Sequence, residues 1–135
     1  YLLQYERSAS AGISNIYTLR AVQPLGTVLS GGYNTYLGQS CRLIIANTNA
    51  SSQTAEITMT KRDGQSILTN PGLFSEEVTV PAKGLAEFDL CSHSEADSYG
   101  TVSVVSSNAA ALSGFILRIG EGASYSFPTQ LYPRQ

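Results

Sequence analysis

Few side chains in this chain are of types and spacings that could do chemistry, and most fall in two stretches. The only histidine, His93, sits in Ser92-His93-Ser94-Glu95-Ala96-Asp97. A serine nucleophile needs a histidine base, an acid to orient it and donors for the oxyanion. Serine, histidine and acid are all present here, yet a polar connection brings such residues together by composition alone. The reading from sequence is therefore no catalytic residue and no enzyme. A transition-metal site wants a second histidine or a cysteine pair at ligand spacing, and neither is present. Asp89, Glu95 and Asp97 supply oxygens that calcium accepts, but their spacing matches no calcium loop. No metal and no cofactor is expected.

The two cysteines, Cys41 and Cys91, are 91 − 41 = 50 positions apart. Cys41 opens one expected strand and Cys91 closes another. In antiparallel neighbours the start of one strand lies beside the end of the other. The pair can then be bridged if these two strands adjoin; otherwise they are two small buried thiols in a reducing cell. The second stretch is Gly31-Gly32-Tyr33-Asn34-Thr35-Tyr36. Tyr33 and Tyr36 around Asn34 make a candidate ligand loop, since aromatic faces stack on sugar rings and an amide can bond their hydroxyls. The competing reading leans both rings on the edge of the fold with their hydroxyls in water. Asn49-Ala50-Ser51 is a formal glycosylation sequon in an expected turn.

The elements that must position these residues are strands. Ala55, Ile57 and Met59 alternate with Thr54, Glu56, Thr58 and Thr60. Val102 and Val104 alternate with Thr101 and Ser103, and Ala86, Phe88 and Leu90 with Leu85, Glu87 and Asp89. Period-two alternation puts one set of side chains on one sheet face. Cys41–Asn47 is apolar on both faces, as a central strand is. Phe115, Leu117 and Ile119 share one face of a later strand, with Ile116 and Arg118 on the other. Asp63-Gly64 reads as a two-residue hairpin loop, with a returning strand near Gln65–Thr69. Pro81-Ala82-Lys83-Gly84 reads as a tight turn in which glycine takes the left-handed conformation. No stretch keeps a helical period. Eight or nine strands with turn signals between them make an all-β chain, an antiparallel β-sandwich.

At 135 residues the chain has the size of one domain. The expected division is an N-terminal strand-forming segment and loop over 1–40 and a sandwich core over 41–135. Charged residues are 13%, roughly half the usual ~25%. The surface is therefore soluble through hydroxyls and amides, which points outside the cell or to its surface. A net charge of −2 without a basic run argues against nucleic acid. No apolar run approaches ~18 residues, so no membrane span is expected. The chain opens on Tyr1, leaving a processed mature form and an excised domain as the two readings.

From Cys41 onward the order of signals resembles the β-sandwich family of the sensory rhodopsin transducer. The matching positions are Cys41, Asn47, Glu56-Ile57-Thr58, Thr79-Val80-Pro81-Ala82, Asp89-Leu90, Ser107-Asn108 and Arg118. The resemblance, over residues 41–119, implies a non-enzymatic sandwich that self-associates. The first 40 residues and the stretch ILTNPGLFSE depart from the pattern.

Two function classes follow. The first is a non-catalytic structural subunit of an extracellular or cell-surface assembly, such as a filament, built through β-strand contacts with copies of itself. Leu3, Tyr5, Tyr17 and Leu19 in residues 1–22 are its candidate intersubunit strand residues, because a strand on the flexible joint Ser8–Gly12 can reach a neighbour's open edge. The second is a carbohydrate- or ligand-binding module using Tyr33, Asn34 and Tyr36.

Overall fold

The computed structural model describes residues 2–8, 12–19, 26–62, 74–108, 111–120 and 126–134. The strands are β1 (Leu2–Ser8), β2 (Gly12–Leu19), β3 (Val28–Asn34), β4 (Ser40–Asn47), β5 (Gln53–Arg62) and β6 (Phe74–Val80). There follow β7 (Leu85–Asp89), β8 (Tyr99–Ser106), β9 (Leu112–Ile119), β10 (Ser126–Gln130) and β11 (Tyr132–Pro133). Two single 3-10 turns, Tyr36–Gly38 and Cys91–His93, are the helical elements among the described residues. No helix there is long and apolar enough to cross a membrane.

Nine of these strands form the sandwich. One sheet has the order β11-β3-β8-β5-β6 and the other β10-β9-β4-β7, with every pairing antiparallel. The alternation read from the sequence sets which residues lie between the sheets. Ala55, Ile57 and Met59 of β5 and Val102 and Val104 of β8 face Leu43 and Ile45 of β4 and Ile116 of β9. All eight are essentially inaccessible to water. Fully burying a side chain of this size contributes ~1.5–3 kcal/mol, so this layer dominates the stability of the domain. β4 has strands on both sides, and its other face is apolar too. There Ile44 joins Phe115 and Leu117 in a second buried cluster, with Ile119 packed against it.

The far end of the sandwich is closed by a buried asparagine. Asn47 Nδ2 donates to the carbonyls of Ser51 (2.8 Å), Pro81 (3.0 Å) and Val80 (3.2 Å). Its Oδ1 accepts from the Asn49 backbone N–H at 2.9 Å. One side chain thus ties the β4–β5 turn to the β6–β7 turn, and its buried polar atoms are paired.

Two expectations change. The division at residue 40 does not hold, because β3 lies inside the five-stranded sheet, between β11 and β8. Its register with β8 runs from Val28 opposite Val105 to Asn34 opposite Tyr99. In the β6–β7 turn the left-handed residue is Lys83 (φ 52) rather than Gly84. Gly84 is needed for closeness instead: a Cβ there would stand 3.0 Å from Pro81 Cβ and 3.3 Å from its carbonyl oxygen. The sandwich strand paired with β5 on its outer side is β6, from Met59 opposite Phe74 to Gln53 opposite Val80. The hairpin expected at Asp63-Gly64 and the strand expected near Gln65–Thr69 lie outside the described residues.

β1 and β2 form an antiparallel hairpin with a ladder of its own, separate from both sheets. Leu3 stands opposite Thr18 and Tyr5 opposite Ile16, whereas Tyr17 stands opposite Gln4 and Leu19 opposite Leu2. The four candidate intersubunit residues therefore occupy four consecutive rungs of the ladder, the Leu3 and Tyr5 rungs alternating with those of Tyr17 and Leu19, so the two pairs belong to opposite faces of the hairpin. β2 runs beside β10 without joining its hydrogen bonds.

Candidate functional site

The candidate residues of both chemical stretches converge on one end of the sandwich. Arg42 on β4 stands opposite Asp89 on β7, which brings Cys41 next to the turn that begins at Cys91. The two cysteines are joined by a disulfide, with their Cα atoms 5.1 Å apart. Cys41 is buried, and Cys91 lies at the rim with its sulfur 3.9 Å from the Asn34 carbonyl oxygen. The bridge therefore fixes the start of β4 to the loop after β7, directly under the end of β3.

A second tie crosses the same end. The Thr35 N–H donates to the Ser98 carbonyl at 2.8 Å, and the Ser98 N–H donates back to Thr35 Oγ1 at 2.8 Å. The Thr35 hydroxyl proton is shared between the carbonyls of Glu95 (2.8 Å) and Ser98 (3.0 Å). The Glu95 carboxylate also pairs with the Lys61 ammonium at the end of β5. Thr35 is buried. No periodicity marks it, because its role depends on a loop 63 residues away.

This scaffold decides what each candidate can do. His93 lies stacked on the Phe88 ring, with centroids 5.0 Å apart and planes 17° from parallel. The neighbouring hydroxyls are turned to the backbone: Ser92 Oγ donates to the Asp89 carbonyl at 2.9 Å and Ser94 Oγ contacts the Glu95 carbonyl at 3.4 Å. Asp89 Oδ1 faces the Ser92 N–H at 3.4 Å, and Glu95 is turned to Lys61. The described residues hold no group of three or more His, Cys, Asp or Glu placed to take a metal ion.

The tyrosine loop is corrected at one residue. Tyr33 is 2% exposed and cannot stack on a ligand. It follows Leu29 and Gly31 on the inward side of β3, and it stands opposite Gly100 on β8. Glycine there leaves room for the ring, whose Cε1 would lie 2.9 Å from a Cβ at position 100. Its phenolic oxygen is buried with no partner among the described residues. Asn34 is spent within the loop, its Oδ1 accepting from the Tyr36 N–H at 2.7 Å. Tyr36 remains 42% exposed and leans on Tyr99, with centroids 6.0 Å apart and planes at 40°. Leu37 beyond it is 78% exposed and holds a left-handed backbone (φ 60), a conformation that costs a leucine ~1–2 kcal/mol.

Fold and site together define an antiparallel β-sandwich whose loop end is stapled by a disulfide and by a buried threonine. Its likeness is to the crystal structure of Thermotoga maritima 1070, at a TM-score of 0.63 and 15% identity, covering 82% of this chain and 96% of that one. At that identity the likeness speaks for the fold. No protein-family model matches the chain, and no curated protein matches it.

Proposed function

We propose that this chain is a non-catalytic building block of an extracellular or cell-surface assembly, associating with copies of itself through its N-terminal strands. The observation that carries this reading is the β1–β2 hairpin, which keeps a ladder of its own beside β10. A lone two-stranded hairpin is marginal in water, so it needs a surface to rest on. Because it shares no ladder bonds with the sandwich, moving it to the same place on a neighbour breaks none of them. Donor and acceptor surfaces differ, so such a contact runs head to tail and builds open filaments. The Cys41–Cys91 bridge supports an oxidising setting, where disulfides persist, as does the low charge. The resemblance of residues 41–119 to the sensory rhodopsin transducer family belongs to the same proposal, since it too implies a self-associating, non-enzymatic sandwich.

The test is the assembly state of the full chain across a concentration series, by analytical ultracentrifugation and electron microscopy. Polymers are expected from the full chain, and soluble monomers from a chain lacking residues 1–22. A full chain that stays monomeric at high concentration overturns the proposal, whether or not the truncated chain folds.

A further inference from the structure

The outward face of the five-stranded sheet is set out by register, and its rungs have a consistent chemistry. Tyr132, Ser30, Ser103, Thr58 and Ser75 stand opposite one another across β11, β3, β8, β5 and β6. Their chain neighbours Leu131, Leu29, Val102, Val104, Ile57 and Met59 are buried in the core, so this rung points outward. It is five hydroxyl-bearing residues side by side at the strand spacing of ~4.8 Å, with Ser30 Oγ and Ser103 Oγ 3.4 Å apart. The next rung is Gly32, Thr101 and Thr60, and the one beyond it Asn34, Tyr99 and Arg62. On the other side lie Val28, Val105, Glu56 and Glu77.

Two aromatic groups flank this floor. Tyr132, 60% exposed, ends the hydroxyl rung at the edge of the sheet. Tyr36, folded against Tyr99, stands at the loop end. Four positions along β3 separate the two ends, on the order of 14 Å. The two central rungs carry no formal charge, and Gly32 keeps the floor flat between the aromatic groups.

We infer that this face binds a neutral polysaccharide, laid across the hydroxyl rungs between Tyr132 and the Tyr36–Tyr99 pair. This goes beyond the assembly reading and does not depend on it. The C–H faces of pyranose rings pack on exposed aromatic faces. The sugar hydroxyls exchange hydrogen bonds with Ser30, Ser103, Thr58, Thr60 and Thr101, each both donor and acceptor. A phosphate or sulfate polymer needs clustered cations, and the central rungs have none. A second copy of the chain needs an apolar, closely packed centre, and here the centre is hydroxyl. The span suits an oligosaccharide segment, so recognition is of a chain rather than of one sugar.

The experiment is affinity electrophoresis through gels cast with hydroxyethyl cellulose, xyloglucan or galactomannan, with pull-down on insoluble cellulose and chitin. Wild type is compared with Tyr132→Ala and Ser103→Lys, each checked for an unchanged circular dichroism spectrum. Retardation by at least one probe is expected, unaffected by high salt and weakened about tenfold or more in either variant. No retardation by any probe overturns the inference, and so does retardation equal in wild type and Tyr132→Ala. Binding that salt abolishes assigns the face to an anionic ligand and overturns it. Self-association lost in Ser103→Lys, with no glycan retained, gives the face to a second copy and also overturns it. Should Ser103→Lys unfold, Tyr132→Ala carries the test alone, because its side chain lies mainly in solvent at an edge strand.

Discussion

Thr35 and Ser98 hold each other by a reciprocal pair of backbone N–H donations of equal length. Each backbone N–H donates to the other residue at 2.8 Å, one to a carbonyl and one to a hydroxyl oxygen. Both residues are buried. This pair fixes the loop after β3 to the loop before β8, so it sets where Asn34 and Tyr36 stand.

Thr35→Val keeps the shape and removes the acceptor of the Ser98 N–H. A buried donor left unpaired costs about 1–3 kcal/mol. The variant is expected to unfold at lower denaturant with an unchanged slope, while Thr35→Ser stays close to wild type. Equal midpoints for Val and Ser would show that the hydroxyl does not hold this loop.

Reduction of the Cys41–Cys91 bridge frees a loop of fifty residues. In the chain-entropy model that loop is worth ~4 kcal/mol. Guanidinium unfolding with and without reductant should therefore show a large drop in midpoint, matched by Cys91→Ala without reductant. Two titratable thiols in unreduced, denatured protein would show the bridge absent.

Gly100→Ala and Gly32→Ala should differ sharply although both lie on paired strands. A Cβ at position 100 would stand 1.9 Å from the Thr60 carbonyl oxygen and 2.9 Å from the Tyr33 ring. That overlap with backbone is expected to cost about 3 kcal/mol or more. At Gly32 the nearest atom is the Gly100 carbonyl oxygen at an ordinary 3.7 Å, so alanine should leave stability within about 1 kcal/mol. Thermal melts of the two variants read the difference directly, and similar losses would mean the β3–β8 register is wrong.

The sequence by itself determined the class of fold and the inward side of its best-patterned strands. Ala55, Ile57 and Met59, and likewise Val102 and Val104, are core residues because a strand alternates every two residues, a property wholly local to the chain. The doubly apolar Cys41–Asn47 announced a strand with neighbours on both sides for the same reason. The tertiary structure decided what depends on residues far apart. Whether β3 belongs to the sandwich rests on its pairing with β8, some seventy residues away, and no local pattern encodes that. Tyr33 offered no reliable direction, since tyrosine suits either side of a sheet and Gly31 and Gly32 before it carry no side chain. Its inward position follows from the space left at Gly100. Tyr132, Ser30, Ser103, Thr58 and Ser75 come from five separate strands. Each is unremarkable in its own segment, and only the register between strands makes them one surface.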